Sequence, residues 1–328
     1  MQWQKMNKMQ EIISPVSPEL LKEELARVRF IRPTCKAGNL IYDFTAQEAP
    51  NLMREVGRLR EIAFRQAGGG TGKDCDMDEM DTMDYPYHQL IVWDPENEAV
   101  VGGYRWIDCL HVPLDDNGQP LVSSSHLFKY SEPFISEYLP HTIELGRAFV
   151  QPAYQTREMG SRSLFALDNL WDGLGAIIHQ NSHIRYLLGK VTLYPSFDEK
   201  ARNLIYAYLE QFNQDKQLLA VPHQAFDADE NGRIAAKTIF TESSIEENFK
   251  LLLNTVRQMN TVVPPLFVAY LHLCPTLRYF GNAANDEFGD VYETGIMVPL
   301  DEIDSAKRDR HIGSFERYLA GDECEKLL

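Results

Sequence analysis

The stretch from His141 to Leu193 decides the fold, and it reads HTIELGRAFV, QPAYQTREMGSRSLFALDNLWDGLGAIIHQ and NSHIRYLLGKVTL. Its patterning predicts a strand, a loop, a helix and a second strand. A helix that begins after such a loop offers free backbone N–H groups, and its dipole favours an anion there. On the first strand, Glu144 and Arg147 add a carboxylate and a guanidinium. The arrangement suits a phosphorylated acyl carrier whose thioester lies close to this polar pair.

The composition is that of an ordinary globular protein, with 44% hydrophobic and 24% charged residues. The net charge is -16, from 32 basic and 48 acidic residues. This balance argues against nonspecific nucleic-acid binding, because phosphate neutralisation needs clustered Lys and Arg. The 5 cysteines form no C-x-x-C pair with zinc-type spacing. We therefore expect reduced thiols, no metal site and no bound cofactor.

The amino terminus lacks the apolar core and cleavage site of a signal peptide, and the chain has no run of about 18 apolar residues. A cytoplasmic protein is therefore expected, with peripheral contact at the inner face of the membrane left open. A capped amphipathic helix is predicted from Ser17 to Phe30. It is interpreted either as packed on the domain or as a surface helix that contacts lipid or a partner.

Alternation predicts a strand in NLIYDFTA and a hairpin in HQLIVWD and AVVGGYRWIDCL. Helical spacing predicts helices in APNLMREVGRLREIAFRQA, FDEKARNLIYAYLEQF and SSIEENFKLLLNTVRQMN. The segment GGGTGKDCDMDEMDTMDYPYH departs from the phosphate-loop and calcium-loop patterns, so we interpret it as a flexible acidic loop. VPHQAFDADENGRIAAKTIF is interpreted as turn-rich, and VYETGIMVPL as a closing strand.

An ordered set of motifs resembles the GCN5-related N-acetyltransferase superfamily, in particular its branch of ornithine-lipid and glycine-lipid N-acyltransferases, sometimes labelled hemolysin-like. The matching pieces are LREIAF, DEMDTMDYPYHQLIV, VVGGYR, ELGRAFVQPAY, the Trp-Asp-Gly at 171–173, YLLGKVTL, PPLFVAYLHL, AANDEFGD and MVPLDEI. They run in the family's order from about Leu40 to Ile303, so the resemblance covers most of the chain. Acyl-homoserine-lactone synthases share a thinner version of the pattern over the first half.

The resemblance implies an α/β fold of the GNAT-like acyl-CoA N-acyltransferase type, with a mixed, mostly antiparallel twisted sheet flanked by helices. Its central strands are expected to splay and admit the pantetheine arm. We predict an N-terminal helical extension over 1–39, the acyltransferase domain over 40–303 and a charged helical tail over 304–328.

The implied activity is transfer of a long, in some cases 3-hydroxylated, acyl chain from acyl carrier protein to the amino group of an amino acid such as glycine or ornithine. The donor is a phosphopantetheine thioester on acyl carrier protein, or acyl-CoA. Three alternatives stay open at this point: an acyl-homoserine-lactone synthase, an acyl-CoA-dependent N-acetyltransferase, and a membrane-surface hemolysin-like protein that is not an enzyme.

For the reaction, Glu144 is the candidate base and Arg147 its catalytic neighbour, although an unbroken strand sends the two side chains to opposite faces unless a bulge intervenes. Arg105 and Arg147 match a carboxylate or a phosphate as planar forks. Asp81 and Asp84 are candidates to position the acceptor amine or, equally, to pair with arginines. The alternative for Glu144 is a structural salt bridge.

The predicted donor-binding residues follow the same strand. They are Phe149, Val150, Arg157, Gly160, Ser161 and Arg162. The family's [QR]-x-x-G-x-[GA] loop is matched at its first four positions, but Arg162 occupies the last. That side chain crowds the backbone where a pantetheine phosphate approaches, while its guanidinium could itself bind the phosphate. A carrier-protein docking patch is expected to include Arg157, Arg162 and Lys190.

Overall fold

The computed structural model describes residues 9–156 and 161–322, apart from the side chains of 161–167. The strands in this part of the chain are Arg29–Pro33 (β1), Leu40–Phe44 (β2), His88–Asp94 (β3), Ala99–Asp108 (β4), Phe128–Tyr130 (β5), Thr142–Val150 (β6), Tyr186–Leu193 (β7), Ala220–Pro222 (β8), Arg278–Asn285 (β9) and Val291–Pro299 (β10). Eight of them form one sheet in the order β1-β2-β3-β4-β6-β7-β10-β9, and β5 pairs with β8 separately.

Helices cover both faces of the sheet. They are Pro18–Leu25 (α1), Pro50–Ala67 (α2), Ser161–Gln180 (α3), Glu199–Phe212 (α4), Glu230–Ile239 (α5), Ile245–Gln258 (α6), Pro265–Leu273 (α7), Ser305–Arg308 (α8) and Ser314–Leu319 (α9). No helix in the described ranges is both long and apolar enough to cross a membrane.

Strand alternation sends neighbouring side chains into different hydrophobic cores on the two faces of the sheet. On β3, Leu90 belongs to the core shared with Leu170 and Trp171 of α3, while its neighbour Ile91 belongs to the core shared with Leu52 of α2. Each face of the central strands is therefore buried under a different helix. The predicted α/β fold, with its mixed and mostly antiparallel sheet, is confirmed.

The pairing of β6 with β7 is parallel, whereas the other pairs in the large sheet are antiparallel. It extends only from Thr142 opposite Tyr186 to Leu145 opposite Gly189. Beyond that point β6 continues to Val150 and β7 to Leu193, but the two strands no longer pair with each other. The two central strands thus diverge and open a gap in the sheet, as the sequence led us to expect.

Two local predictions are wrong, and one strand was not predicted. The helix expected through Phe30 ends at Leu25, because residues 29–33 add to the sheet as β1, the strand next to β2. Part of the predicted helical extension over 1–39 is therefore a strand. The segment interpreted as turn-rich contains α5, which Asp229 caps by accepting a hydrogen bond from the Gly232 N–H. Strand β9, which pairs with β10, had no counterpart in the predicted elements.

The C-terminal tail packs directly on α3 at a glycine. A Cβ placed on Gly175 would lie 2.2 Å from the His311 carbonyl oxygen. His311 is only 7% exposed and approaches Asp172 of the same helix, with 3.5 Å between Nδ1 and Oδ1. The tail predicted over 304–328 is thus anchored on the domain as far as the structure describes it.

We expect Gly175→Ala to lower the free energy of unfolding by up to about 2 kcal/mol. Displacement of the His311 backbone by the new methyl group costs about 1–3 kcal/mol, and the higher helix propensity of Ala recovers about 1 kcal/mol. Thermal unfolding measures the change. Gly146→Ala is the matched control, since its Cβ would meet nothing closer than 3.5 Å. Equal melting temperatures for the two variants would contradict the close contact.

Candidate active site

A β-bulge in β6 sets the direction of the central arginine. Gly103 lies opposite Phe149 and Arg105 opposite Gly146, so Tyr104 alone faces two residues of β6. One of the two is Arg147, which adopts a φ of 50°. The bulge turns the Arg147 side chain to the same face of the sheet as that of Arg105. Both guanidinium groups approach the Asp78 carboxylate, Arg147 to 3.4 Å and Arg105 to 2.7 Å. Glu144 and Arg147 therefore do not serve opposite faces of the sheet.

The segment interpreted as a flexible acidic loop is an ordered part of this site. Asp78 caps a short helical turn by accepting a hydrogen bond from the Met80 N–H, and Asp76 is 1% exposed. Arg147 Nε lies 2.9 Å from an Asp76 oxygen. Asp74, Glu79 and Asp84 face solvent. The carboxylates of Asp76, Asp78 and Asp81 instead pair with arginines from three other elements, so the interpretation as a flexible loop is wrong for this part of the segment.

Arg60 of α2 completes this cluster. Its guanidinium lies 3.5 Å from Asp81, as does that of Arg105, and the side chains of Arg60 and Asp81 are fully buried. Burial alone would raise the pKa of Asp78, but the charges of Arg105, Arg147 and Arg60 outweigh it and lower that pKa to about 2. Asp78 therefore stays ionised at physiological pH. We call the six side chains Arg60, Arg105, Arg147, Asp76, Asp78 and Asp81 the arginine–aspartate cluster.

Glu144 lies on the same face and is fully buried. Its carboxylate accepts hydrogen bonds from the backbone N–H groups of Ser123, at 3.0 Å, and Ser124, at 2.8 Å. The Tyr87 hydroxyl donates a third. Burial, together with the Glu144 charge, raises the pKa of Tyr87 well above its usual value, so the phenol keeps its proton. The Glu144 carboxylate thus anchors the segment that carries Ser123 and Ser124.

A cavity of about 530 Å³ opens where β6 and β7 diverge. One part of its wall is polar and the other apolar. The polar part contains Arg105, Arg147, Ser123, Lys190, Thr192 and Glu293. The apolar part contains Phe64, Leu145, Phe149, Val150, Leu170, Val191, Pro264, Pro265, Leu266 and Phe288. The cavity therefore accommodates both an alkyl chain and a charged group.

The structure places the predicted site residues in three groups. Arg105, Arg147, Phe149 and Val150 line the cavity, whereas Glu144 and Asp81 lie behind its wall, and Asp84 is exposed outside the cluster. Of the predicted phosphate-loop residues, Arg157 and Gly160 lie outside the described residues. The side chains of Ser161 and Arg162 are also outside them.

One charged residue of the cavity wall, Lys190, was assigned to another role, and a second, Glu293, was missed. Lys190, expected in a docking patch, faces the cavity and donates a hydrogen bond from Nζ to the Ser123 carbonyl oxygen at 3.2 Å. Glu293 of β10 also lines the cavity and is 4% exposed. A carboxylate inside the otherwise uncharged strand sequence VYETGIMVP was the available signal for Glu293. Within the described part of the chain, no cluster of His, Cys, Asp and Glu is arranged to hold a metal ion.

Comparison with known proteins agrees with this geometry. A family described as Acetyltransferase (GNAT) domain matches residues 59–164. The chain is 50% identical over 307 residues to a glycine N(alpha)-acyltransferase of Bacteroides thetaiotaomicron, covering 94% of this chain and 91% of the relative. It is 47% identical to the protein of the same name from Phocaeicola vulgatus, covering 94% of each chain.

Among solved structures, similarity is found to a CoA-dependent acyl-homoserine lactone synthase with SAM and isopentyl-CoA. The identity is 12% and the TM-score 0.34, over 85% of this chain and 90% of the other. The predicted superfamily and the N-acyltransferase activity are confirmed by the family match and the two relatives. On the strength of near 50% identity along almost its whole length, the chain belongs to the glycine N(alpha)-acyltransferase family, has a GNAT-type domain and is an N-acyltransferase.

Proposed function

We propose that this N-acyltransferase moves a long acyl chain, 3-hydroxylated chains included, from acyl carrier protein to the amino group of glycine. The product is an acyl-amino-acid lipid or its precursor. The supporting observation is the cavity at the divergence of β6 and β7, which combines an apolar wall with arginines held by a buried cluster. Since the product is amphiphilic, we include peripheral contact with the inner face of the membrane in the proposal.

The divergence of β6 and β7 supports a pantetheine thioester as the donor. Past Leu145 and Gly189 the facing edges of these strands no longer pair with each other. An extended chain bearing amide groups adds to such an edge as another strand does. The thioester then lies near the last paired residues, and the apolar wall at Leu170, Val191 and Leu266 receives the alkyl chain. The volume of about 530 Å³ falls within the range of ligand pockets.

Arg105 supports binding of the acceptor carboxylate. Its Nη1 is held by Asp78 and Asp81, but its buried Nε has no hydrogen-bond partner in the part of the chain that the structure describes. That Nε lies 3.5 Å from the position a Cβ on Gly146 would take, beside the cavity. A buried guanidinium N–H without a partner costs free energy, which a ligand carboxylate would recover.

The small space beside Gly146 supports glycine over ornithine. Aspartates behind the wall neutralise Arg105 and Arg147, so charge alone does not select between the two acceptors. Gly146, between Arg105 and Ser123, leaves room for a small acceptor. The names of the two relatives agree with this choice.

We propose indirect roles for two of the predicted site residues. Glu144 holds the Ser123 and Ser124 peptides at the cavity wall, and Asp81 fixes Arg105. Each works through a neighbour, since neither side chain lines the cavity. For Asp84 the amine-positioning role stays a prediction without support from the geometry. The docking patch for the carrier protein stays a prediction for Arg157 and Arg162.

We expect the purified enzyme to form acylglycine from a 3-hydroxyacyl carrier-protein thioester, with a kcat/KM at least about tenfold higher than with ornithine, because the longer side chain of ornithine must fit beside Gly146. Mass spectrometry of the lipid extract, with acyl-CoA as the parallel donor, measures this. Formation of a lactone on addition of S-adenosylmethionine would favour the synthase alternative. Absence of acylated product with every donor and acceptor would reject the proposal.

The role of Arg105 in binding the acceptor carboxylate is tested by Arg105→Lys, which keeps the charge but loses the planar fork and the Nε–H group. We expect it to raise the KM for glycine about 10- to 100-fold, corresponding to one charge-assisted hydrogen bond of about 1.5–3 kcal/mol, with little change in the KM for the donor. Steady-state kinetics with each substrate varied in turn separates the two constants. Arg58→Lys, at a residue that pairs with Glu55 outside the cavity, is the control.

Glu144→Gln tests the proposed positioning role of Glu144. In Glu144→Gln the amide nitrogen would face a backbone N–H in place of an acceptor, which costs about 1–3 kcal/mol of folding stability. We expect lower thermal stability together with lower turnover, because the Ser123 peptide is no longer fixed. Glu137→Gln, on an exposed residue, is the matched control. Unchanged stability and unchanged turnover across pH would show that Glu144 has neither a positioning nor a base role.

A further inference from the structure

Lys190 occupies the point at which the two central strands part. It follows Gly189, the last residue of β7 that pairs with β6, and it lies opposite Gly295 of β10. Its Nζ reaches the Ser123 carbonyl oxygen, and no ion pair of Lys190 is present among the described residues. Lys190 is half-buried in the cavity wall, and a lysine there without an ion-pair partner is uncommon, since its ammonium group loses part of its hydration.

The charges around Lys190 come from each neighbouring strand. Loss of hydration in the cavity lowers the pKa of its ammonium group. Glu293 of β10 and Glu144 of β6 act in the raising direction, whereas Arg147 and Arg105 act in the lowering one. The ammonium therefore gives up its proton more readily than that of a solvent-exposed lysine.

Glu293 lies diagonally across the strand pair from Lys190. It pairs with Thr192, two residues beyond Lys190 on the same side of β7. Its carboxylate accepts hydrogen bonds from Thr192 Oγ1 at 3.2 Å and from Asn285 Nδ2 at 3.3 Å. Both donors are neutral, so the negative charge is not cancelled and the oxygens remain available to a cation in the cavity.

We propose that Lys190 and Glu293 are catalytic residues of the acyl transfer, with Lys190 as the acid that protonates the departing thiolate and Glu293 as the base that receives the acceptor's proton. This inference rests on the proposed function. Both side chains of this acid–base pair line the cavity. Glu144 has a positioning role, because it binds the Ser123 and Ser124 N–H groups and Lys190 donates to the Ser123 carbonyl oxygen.

The protons and bonds balance as follows. The acceptor ammonium gives one proton to Glu293, and the free amine attacks the thioester carbonyl carbon. The C–N bond forms, and the C–S bond breaks. The sulfur leaves with its electron pair and takes a proton from Lys190. The newly formed amide nitrogen loses its second proton to the neutral Lys190 amine, and Glu293 returns its proton to water. The products are the thiol, the amide and one released proton.

The dependence on the leaving group tests this role of Lys190. Two donors with the same acyl chain are compared, an N-acetylcysteamine thioester and a thiophenol thioester. An aryl thiolate is the weaker base and leaves faster, so it needs little protonation. We expect Lys190→Met to lower kcat with glycine about 10²- to 10⁴-fold for the alkyl thioester, the usual contribution of general acid catalysis. For the aryl thioester the loss shrinks to less than about tenfold, because that thiolate departs unprotonated.

Lys190→Arg separates acid catalysis from charge. The guanidinium keeps the positive charge but does not release its proton. We expect it to resemble Lys190→Met with the alkyl thioester and to regain activity with the aryl one. It also provides the test if Lys190→Met does not fold, which thermal unfolding will show. Lys129→Met, on an exposed residue of β5, is the matched control.

The outcomes separate this inference from the proposed function. Equal losses for the two donors, or wild-type turnover of Lys190→Arg with the alkyl thioester, would overturn the acid role of Lys190. For Glu293→Gln we expect a loss that shrinks as the pH approaches the pKa of the glycine amine, and a loss independent of pH would overturn the base role. Failure of the wild-type enzyme to acylate glycine would instead reject the proposed function.

Discussion

The rest of the site depends on the neutralisation of three guanidinium groups, two of them buried and that of Arg147 partly exposed to the cavity, by three aspartates. Arg60, Arg105 and Arg147 come from α2, β4 and β6, and their carboxylate partners all come from residues 76–81. Removal of one partner from a buried ion pair costs about 3–5 kcal/mol, because the remaining charge is left without compensation. The acidic segment, the bulge in β6 and the position of α2 are therefore tied to one another.

This constraint explains why the cavity can be charged at one side and apolar at the other. The cluster holds the arginines at fixed positions on one face of the sheet, where Arg147 also lies over the ring of Phe288 at 4.5 Å. On the other face, Leu145 and Leu170 belong to the core beneath α3. Because β6 and β7 separate after Leu145, the gap between them joins the two environments. A reaction between an amphiphilic donor and a charged acceptor needs this combination.

The sequence predicted the fold well where periodicity and ordered motifs were strong, as in β3, β4, β6 and α2. It failed where tertiary pairing overrode a local pattern. The helix predicted from Ser17 to Phe30 ends at Leu25, and residues 29–33 pair with β2 instead, because an open sheet edge satisfies their backbone groups. The acidic segment seemed flexible from its composition, since the arginines that bind it lie in other elements far along the chain.

Among site residues, the sequence identified Arg105, Arg147, Phe149 and Val150, all of which line the cavity. It overlooked Glu293 and assigned Lys190 to a surface, because the side of a strand residue that faces a gap is defined only once the neighbouring strands are placed. The sequence by itself determined the family, the order of the strongly patterned elements such as β3, β4, β6 and α2, and the residue types available for acyl transfer. Only the tertiary structure decided which charges are neutralised and which face the cavity, because burial and ion pairing depend on contacts between distant segments.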